Sequence, residues 1–247
     1  MINMKSINIV IPMAGLGSRF ANAGYDKPKP FIDVNGKPMI VNILENINIQ
    51  NAKYILIARK EHLIQEAQLV SQIEEEFNAV FIGIDKLTEG AACTILFARH
   101  FINNDSPLLI ANSDQIVDFN LNKFIDDCFY RSLSGSILVF KDSTKNSKWS
   151  YVIKNQNGYV LEVKEKEPIS DLATVGIYFF TKGSEFVNAA IEMIIHNDRV
   201  ANEFYTCPVY NYLISNKNPI GTFEIPFEAM HGIGTPEDLN IYMKWVK

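Results

Sequence analysis

Cysteine is scarce in this sequence, and long apolar runs are absent. The 247 residues include three cysteines, Cys93, Cys128 and Cys207, which stand far apart and form no CxxC pair. This usage argues against a disulfide framework and a cysteine zinc site and is typical of reduced thiols in a cytoplasmic protein. No apolar run approaches the ~18 residues of a membrane span. The N-terminal stretch has no cleavage-like site, so we expect neither a membrane partner nor a signal peptide.

Basic charge is not in excess either. Lysine and arginine total 23 against 28 acidic residues, for a formal net charge of −5. We therefore expect no nucleic-acid partner. Repeats, low-complexity segments and linkers rich in Gly, Ser or Pro are also absent. With 47% hydrophobic residues, the chain predicts a single domain over residues 1–247 with one sizeable core.

Short apolar runs alternate with helix-patterned stretches through the first half of the chain. This alternation is typical of crossover connections, and it predicts an α/β fold with a Rossmann-like, mostly parallel sheet flanked by helices. The predicted strands cover residues 7–12, 53–58, 79–84, 107–112 and 135–140. The predicted helices cover residues 38–50, 61–77, 90–101 and 121–133.

The pattern changes after residue 140. Two extended runs surround Asn157-Gly158, a dipeptide typical of a hairpin turn, so we predict a small antiparallel insertion at 149–166. Ser184 is the predicted cap of one of the later helices. The remaining predictions are strands at 172–180 and 219–226 and helices at 183–196, 203–215 and 235–246.

The stretch IPMAGLGSRF, residues 11–20, places a glycine loop directly after the first predicted strand. Ligands of open α/β sheets bind outside the carboxyl ends of the strands. Glycines let backbone N–H groups approach an anion closely, and the guanidinium fork of Arg19 suits phosphate oxygens. Proline on either side of Lys29 stiffens a second phosphate-binding candidate. The loop residues predicted to bind a nucleotide are Ala14, Gly15, Leu16, Gly17 and Ser18.

Other interpretations of this loop stay open. A dinucleotide-binding GxGxxG has Phe20 in place of its third glycine, and a Walker GxxxxGK[ST] is absent. A glycosyltransferase of similar architecture usually carries D-x-D, where this chain has NSDQ. The plain structural alternative is a tight surface loop with an exposed arginine.

The loop is followed by KPKPFIDVNGKPMI, residues 27–40. Together the two segments resemble the N-terminal signature of the nucleotidyltransferases that make sugar nucleotides and related activated metabolites. That signature is roughly G-x-G-x-R, a spacer, P-K-P and V-x-G-x-P-M/L. The matching residues are Gly15, Gly17, Arg19, Pro28, Lys29, Pro30, Gly36, Pro38 and Met39.

Later segments extend the resemblance. Asp114, after Asn112 and Ser113 in LLIANSDQIV, matches the family's metal-binding aspartate. Mg²⁺ takes one or two carboxylates and completes its shell with phosphate oxygens and water, although an Asx turn is the structural alternative. Gly90 and Ala91, in LTEGAACTIL, match the segment that contacts base and ribose.

The acceptor-side motifs depart from the family pattern. Lys166, in VKEKEPIS, matches the lysine that holds the acceptor's phosphate, but Glu167 separates it from Pro168 and makes Lys164 a rival. HGIGTPEDL has Gly232 where many members carry a second metal-binding aspartate. Asp114 then holds the metal alone or with a substitute carboxylate, the candidates being Glu203, Glu228 and Asp238. Asp238 also suits the first turn of a helix, and a lone His231 is more often structural.

The resemblance implies transfer of a nucleoside monophosphate to a phosphorylated acceptor, with residues 1–140 binding the nucleotide and 141–247 the acceptor. Arg19 would neutralise the leaving pyrophosphate, Lys29 would bridge the α-phosphate and the acceptor, Lys166 would hold the acceptor, and Asp114 would bind Mg²⁺. The segments SKWSYV, KEKEPIS and EFYTCPVYN resemble the branch that joins CMP from CTP to phosphorylated L-glutamine for capsule polysaccharide biosynthesis. A sugar-1-phosphate nucleotidyltransferase and a non-catalytic nucleotide-binding subunit are the alternatives, and the apolar C-terminal helix leaves a homodimer open.

Overall fold

A computed structural model describes residues 6–246 of the chain. The strands are β1 Asn8–Pro12, β2 Asp33–Val34, β3 Lys37–Pro38, β4 Lys53–Arg59, β5 Ala79–Ile84, β6 Leu108–Ala111, β7 Gln115–Val117, β8 Gly135–Lys141, β9 Ser150–Lys154, β10 Val160–Glu165, β11 Leu172–Phe180, β12 Ile220–Glu224 and β13 Met230–Gly232. The helices are α1 Ser18–Asn22, α2 Met39–Ile47, α3 Lys60–Gln65, α4 Ala67–Phe77, α5 Ala91–Ile95, α6 Arg99–Ile102, α7 Leu121–Tyr130, α8 Gly183–Ile195, α9 Val209–Ser215 and α10 Pro236–Trp245.

One sheet of nine strands organises the described residues, in the order β10-β9-β11-β6-β1-β4-β5, with β8 beside β11 and β12 beside β8. The pairs β6-β1, β1-β4 and β4-β5 are parallel. Strand β11 is antiparallel to β6, β8 and β9, and β10 is antiparallel to β9. Because β12 is parallel to β8, only β10 and β11 run against the others. The predicted α/β fold with a mostly parallel sheet is confirmed.

The sheet is covered on both faces, as the continuous apolar runs of its central strands require. Side chains of a strand alternate between faces. In β1, Ile9 and Ile11 pack in one hydrophobic core with α2 and α7, while Val10 packs in the other with α5 and α8. None of the helices in the described part of the chain is both long and apolar enough to cross a bilayer.

Three helix predictions and one cap prediction were wrong in detail. The predicted helix at 61–77 is interrupted at Glu66, and that at 90–101 is divided into α5, a short 3-10 turn and α6. The helix at 203–215 begins only at Val209. Ser184 is not a cap: the N–H groups of Gly183 and Ser184 donate to the carbonyls of Ser106 and Asn104. Residues distant in sequence therefore cap the start of α8.

The register of the sheet places two loops together. Val10 of β1 is paired with Ile110 of β6, so the chain leaves both strands at the same edge of the sheet. The first exit is the glycine loop, and the second is the segment that leads to Asp114.

Tyr210 fixes helix α9 to the sheet. Its buried hydroxyl lies 2.9 Å from the carbonyl oxygen of Phe179 and 3.0 Å from that of Ser136.

We expect Tyr210→Phe to lower the free energy of unfolding by about 1–2 kcal/mol, because these two buried carbonyl oxygens lose their hydrogen-bond donor. Urea denaturation measures the change. Tyr212→Phe is the matched control, since that hydroxyl reaches Asp198 at 3.3 Å in solvent and its loss should cost less than about 0.5 kcal/mol. Equal stability of the two variants would contradict this role.

Candidate functional site

Two cavities open at the carboxyl ends of β1 and β6. The larger, about 470 Å³, lies over the glycine loop, and we call it the loop cleft. The smaller, about 370 Å³, lies beside it, and we call it the side cavity. Arg19, Ala91 and Gly234 line both, so the two cavities are neighbours with a shared wall.

The structure divides the predicted site residues between these cavities. Asn112 and Ser113, adjacent in sequence, fall on different sides. The loop cleft contains Ala14, Gly15, Leu16, Gly17, Ser18, Arg19, Lys29, Gly90, Ala91 and Ser113. The side cavity contains Asn112, Asp114 and Lys166 together with Arg19 and Ala91.

The glycine loop is held from both ends. Gly17 adopts a φ of 62°, a left-handed conformation, and a Cβ atom there would lie 3.0 Å from Cβ of Lys29. Only glycine therefore lets the loop lie this close to Lys29. Phe20 is fully buried next to the exposed loop residues, and it anchors helix α1, which begins at Ser18.

Lys29 and Asp114 form an ion pair across the shared wall. The Nζ of Lys29 lies 2.6 Å from Oδ2 of Asp114, and the two side chains are 16% and 27% exposed. Lys29 lines the loop cleft and Asp114 lines the side cavity. The pair therefore places one positive and one negative charge at the junction of the two cavities.

A short ladder that sequence patterns did not reveal supports Asp114. Strands β7 and β13 are antiparallel, with Gly232 opposite Gln115, and the N–H of Ile233 donates to the carbonyl of Asp114 at 2.8 Å. A Cβ atom on Gly234 would lie 2.7 Å from the Asp114 carboxylate, so a larger residue at this position would displace that carboxylate. Strands of three residues are too short to produce a recognisable hydrophobic pattern.

The side cavity offers carboxylates to a cation. No group of three or more His, Cys, Asp or Glu residues within 6–246 is arranged to hold a metal ion. Asp238, in the first turn of α10, lines the side cavity with Asp114, and its Oδ2 would lie 3.9 Å from a Cβ atom on Gly232. One or two carboxylates beside a phosphate site suit Mg²⁺, which takes its remaining ligands from phosphate and water. Of the other candidates, Glu203 lines the loop cleft and Glu228 lines neither cavity.

Lys166 enters the side cavity from a left-handed residue, with φ 59°. Its ammonium group donates to the hydroxyl of Tyr205 and lies 4.5 Å from the centre of that ring. The hydrogen bond to Tyr205 raises the pKa of Lys166, which keeps the side chain charged. The rival, Lys164, is paired with Glu162 at 3.1 Å and lines neither cavity.

Comparison with known proteins identifies the family. The family model described as "Nucleotidyl transferase" matches residues 9–239. The chain belongs to the nucleotidyl transferase family. This nucleotidyl transferase is 26% identical to the UTP–glucose-1-phosphate uridylyltransferase AglF of Haloferax volcanii, over 77% of the chain and 84% of that protein. It is 27% identical to the mannose-1-phosphate guanylyltransferase catalytic subunit beta of Dictyostelium discoideum, over 72% of the chain and 49% of that protein.

A solved structure has the same fold as this nucleotidyl transferase. The nucleoside-diphosphate-sugar pyrophosphorylase of Vibrio cholerae RC9 superposes with a TM-score of 0.81, at 23% identity, over 96% of this chain and 99% of that one. Among the curated relatives the matched lengths differ: the chain spans about half of the guanylyltransferase and 40% of the bifunctional protein GlmU of Methanococcus aeolicus.

His231 is a structural residue outside both cavities, whereas Gly176 lines the side cavity. His231 lies 3.1 Å from Asp118 and packs on Trp245 with ring centres 4.1 Å apart, and it lines neither cavity. Gly176 of β11 has a φ of 90°, and a Cβ atom there would lie 2.3 Å from Asn112 and 2.4 Å from Gln115. Sequence analysis missed Gly176, although a glycine inside an apolar strand is a signal for close approach.

Gly90 is glycine for a structural reason that its sequence context did not reveal. It adopts a φ of 125°, and a Cβ atom there would lie 2.4 Å from the carbonyl oxygen of Phe204. We expect Gly90→Ala to lower the free energy of unfolding by roughly 2 kcal/mol or more, because it adds backbone strain and a clash with main chain. Chemical denaturation measures this change.

Gly15→Ala is the matched control for that prediction. A Cβ atom on Gly15 meets nothing within 4 Å, so this variant should unfold at nearly the wild-type denaturant concentration. If Gly90→Ala were equally stable, the contact with Phe204 would not explain the glycine.

Proposed function

We propose that this protein transfers a nucleoside monophosphate from a nucleoside triphosphate to a phosphorylated acceptor and releases pyrophosphate. The observation that carries the proposal is the Lys29–Asp114 pair, which joins a cleft over a glycine loop to a second cavity. Two substrates that react at phosphorus need two adjoining sites with fixed charges at their junction.

The residues of each cavity have distinct tasks in this reaction. Backbone N–H groups of the loop and the guanidinium of Arg19 would bind the β- and γ-phosphates in the loop cleft. Lys29 would face the α-phosphate at the junction, and Lys166 would hold the acceptor's phosphate in the side cavity. An oxygen of that phosphate attacks the α-phosphorus in line. The bond from the α-phosphorus to the bridging oxygen breaks, and pyrophosphate leaves with its electron pair.

Mg²⁺ is part of the proposal. Asp114, with Asp238 in the same cavity, would hold it. When bound, the ion neutralises phosphate charge and aligns the α- and β-phosphates. The protein's own contribution is to place a carboxylate at the junction: the N–H of Ile233 holds the backbone of Asp114, and Gly234 leaves room for its side chain.

For the substrates, we propose CTP and L-glutamine phosphate, which would give CDP-L-glutamine. The support is the resemblance of SKWSYV, KEKEPIS and EFYTCPVYN to the branch with that activity. These segments contribute Lys148, Trp149, Lys166, Tyr205 and Thr206 to the side cavity, where an acceptor would bind.

A sugar-1-phosphate is the second candidate acceptor. The names of the matched relatives favour it, since they include a glucose-1-phosphate uridylyltransferase and a mannose-1-phosphate guanylyltransferase. The chemistry at phosphorus is the same, and only the group attached to the acceptor phosphate differs.

Pyrophosphate release tests the proposal directly. Four nucleoside triphosphates are combined, with Mg²⁺, with L-glutamine phosphate, several hexose-1-phosphates and phosphocholine. We expect release with CTP and L-glutamine phosphate. Release with a hexose-1-phosphate instead would retain the reaction and replace the acceptor. Binding of nucleotide without release in any combination would contradict the proposal and favour a non-catalytic nucleotide-binding subunit.

A further inference from the structure

The side cavity contains a carboxylate that forms no ion pair within the described part of the chain. Glu165, the last residue of β10, lines this cavity, and its Oε2 accepts a hydrogen bond from the hydroxyl of Ser150. No basic side chain in residues 6–246 forms a salt bridge with Glu165. Its sequence neighbour Lys166 is instead engaged with Tyr205.

The two other carboxylates that line the side cavity have different surroundings. Asp114 is paired with Lys29 at 2.6 Å, and Asp238 stands at the start of α10 next to Gly232. Burial raises the pKa of the Glu165 carboxyl above its ordinary value, and the hydrogen bond from Ser150 and the charge of Lys166 offset this rise only in part. The ionised form of a half-buried carboxylate with a raised pKa is stabilised most by a ligand that supplies a positive charge.

Charges of both signs line the side cavity. Ser150 is opposite Glu165 in the β9–β10 ladder, and Lys148 lies two residues before Ser150 and also lines the cavity. The Lys148 ammonium lies 4.5 Å from the centre of the Trp149 ring. An anion and a cation that line the same cavity suit an acceptor that carries an ammonium and a carboxylate besides its phosphate.

We propose that Glu165 selects acceptors that carry a protonated amine, by accepting a charge-assisted hydrogen bond from it. The inference rests on the proposed transfer reaction and narrows its acceptor to amine-bearing phosphates. The phosphate lies toward Arg19 and Lys166, and the amine lies toward Glu165. A neutral hydroxyl can also donate to Glu165, but it leaves the carboxylate without a counter-charge, so amine-free acceptors bind more weakly.

Matched acceptors test this inference. One pair is L-glutamine phosphate and its analogue with hydrogen in place of the α-amine, and a second pair is glucosamine-1-phosphate and glucose-1-phosphate. For the wild-type protein we expect the amine-bearing member of the pair that reacts to have a kcat/KM about 10- to 100-fold higher, the range for a hydrogen bond to a charged group. Calorimetry measures the binding of the same four phosphates in the absence of turnover.

Glu165→Gln should remove the preference within each pair, because the amide keeps a hydrogen bond with Ser150 but carries no charge. We expect the KM for the nucleotide to stay unchanged, which also shows that the variant is folded. Glu162→Gln is the matched control: Glu162 lies on the same strand, is paired with exposed Lys164 at 3.1 Å and lines neither cavity. It should keep the wild-type preference.

The outcomes separate the two proposals. Equal use of amine-bearing and amine-free acceptors, or a preference that survives in Glu165→Gln, would overturn the role of Glu165 and leave the transfer reaction intact. Absence of pyrophosphate release with every pair would overturn the proposed function. In that event calorimetry still tests the inference about Glu165. Tighter binding of the amine-bearing phosphate that is lost in Glu165→Gln would support it, and equal binding of the matched phosphates would overturn it.

Discussion

Replacement of Lys29 by alanine lowers the rate of pyrophosphate release by at least ~100-fold, the scale for loss of a group that stabilises transition-state charge. The reason is geometric as well as electrostatic. Lys29 stands at the junction of the two cavities, with its Nζ 2.6 Å from Asp114. In the proposed reaction, negative charge would develop there as the acceptor oxygen attacks. A steady-state assay of pyrophosphate with the reactive substrate pair measures kcat.

Lys27→Ala is the control for this variant. Lys27 lies in the same proline-rich segment, but its ammonium is exposed, reaches Glu66 at 3.7 Å and lines neither cavity. We expect it to retain wild-type kcat within about a factor of two, since surface ion pairs contribute little. A folded Lys29→Ala protein with near wild-type turnover would show that the reacting phosphates lie elsewhere.

Asp114→Asn lowers turnover by at least ~100-fold as well, and this loss has a separate signature. Asparagine has nearly the same shape and keeps a neutral oxygen toward Lys29, so folding is preserved while the negative charge is removed. In the wild-type protein, a chelator should abolish activity and added Mg²⁺ should restore it. In Asp114→Asn, much more Mg²⁺ should be required for half-maximal rate, as titration of the metal would show.

Asp118→Asn is the control for Asp114→Asn, because it removes a carboxylate that lies near Asp114 in the sequence but outside the site. Asp118 lies just beyond β7 and bonds to His231 at 3.1 Å, outside both cavities. Its replacement should change neither kcat nor the Mg²⁺ requirement. Wild-type activity that persists in excess chelator would remove the metal-binding role from Asp114.

The strands that build the sheet and the motif that opens the site could be predicted because their signals are local. A continuous apolar run such as β1 and a glycine loop after it depend on neighbouring residues only. The ion pair of Lys29 with Asp114 links residues 85 positions apart. It follows from the parallel pairing of β1 with β6, which single-sequence patterns do not specify.

The features that sequence analysis missed depend on tertiary context. The three-residue strands β7 and β13 exist because each completes the other, and their intrinsic β-propensity is a weak guide. The start of α8 is satisfied by the carbonyls of residues 104 and 106 instead of the nearby Ser184. Gly90 and Gly176 are explained by backbone and side chains from distant segments, so their purpose becomes visible only in the folded chain.

The position of Arg19 on the wall of both cavities has a consequence for how the two substrates bind. Two anionic substrates would share one guanidinium, so the second to arrive meets a field already partly neutralised by the first. Binding of the two is then thermodynamically coupled, and the coupling is reciprocal. With Arg19 intact, the apparent affinity for each substrate depends on the concentration of the other. With the guanidinium removed, the two substrates bind independently.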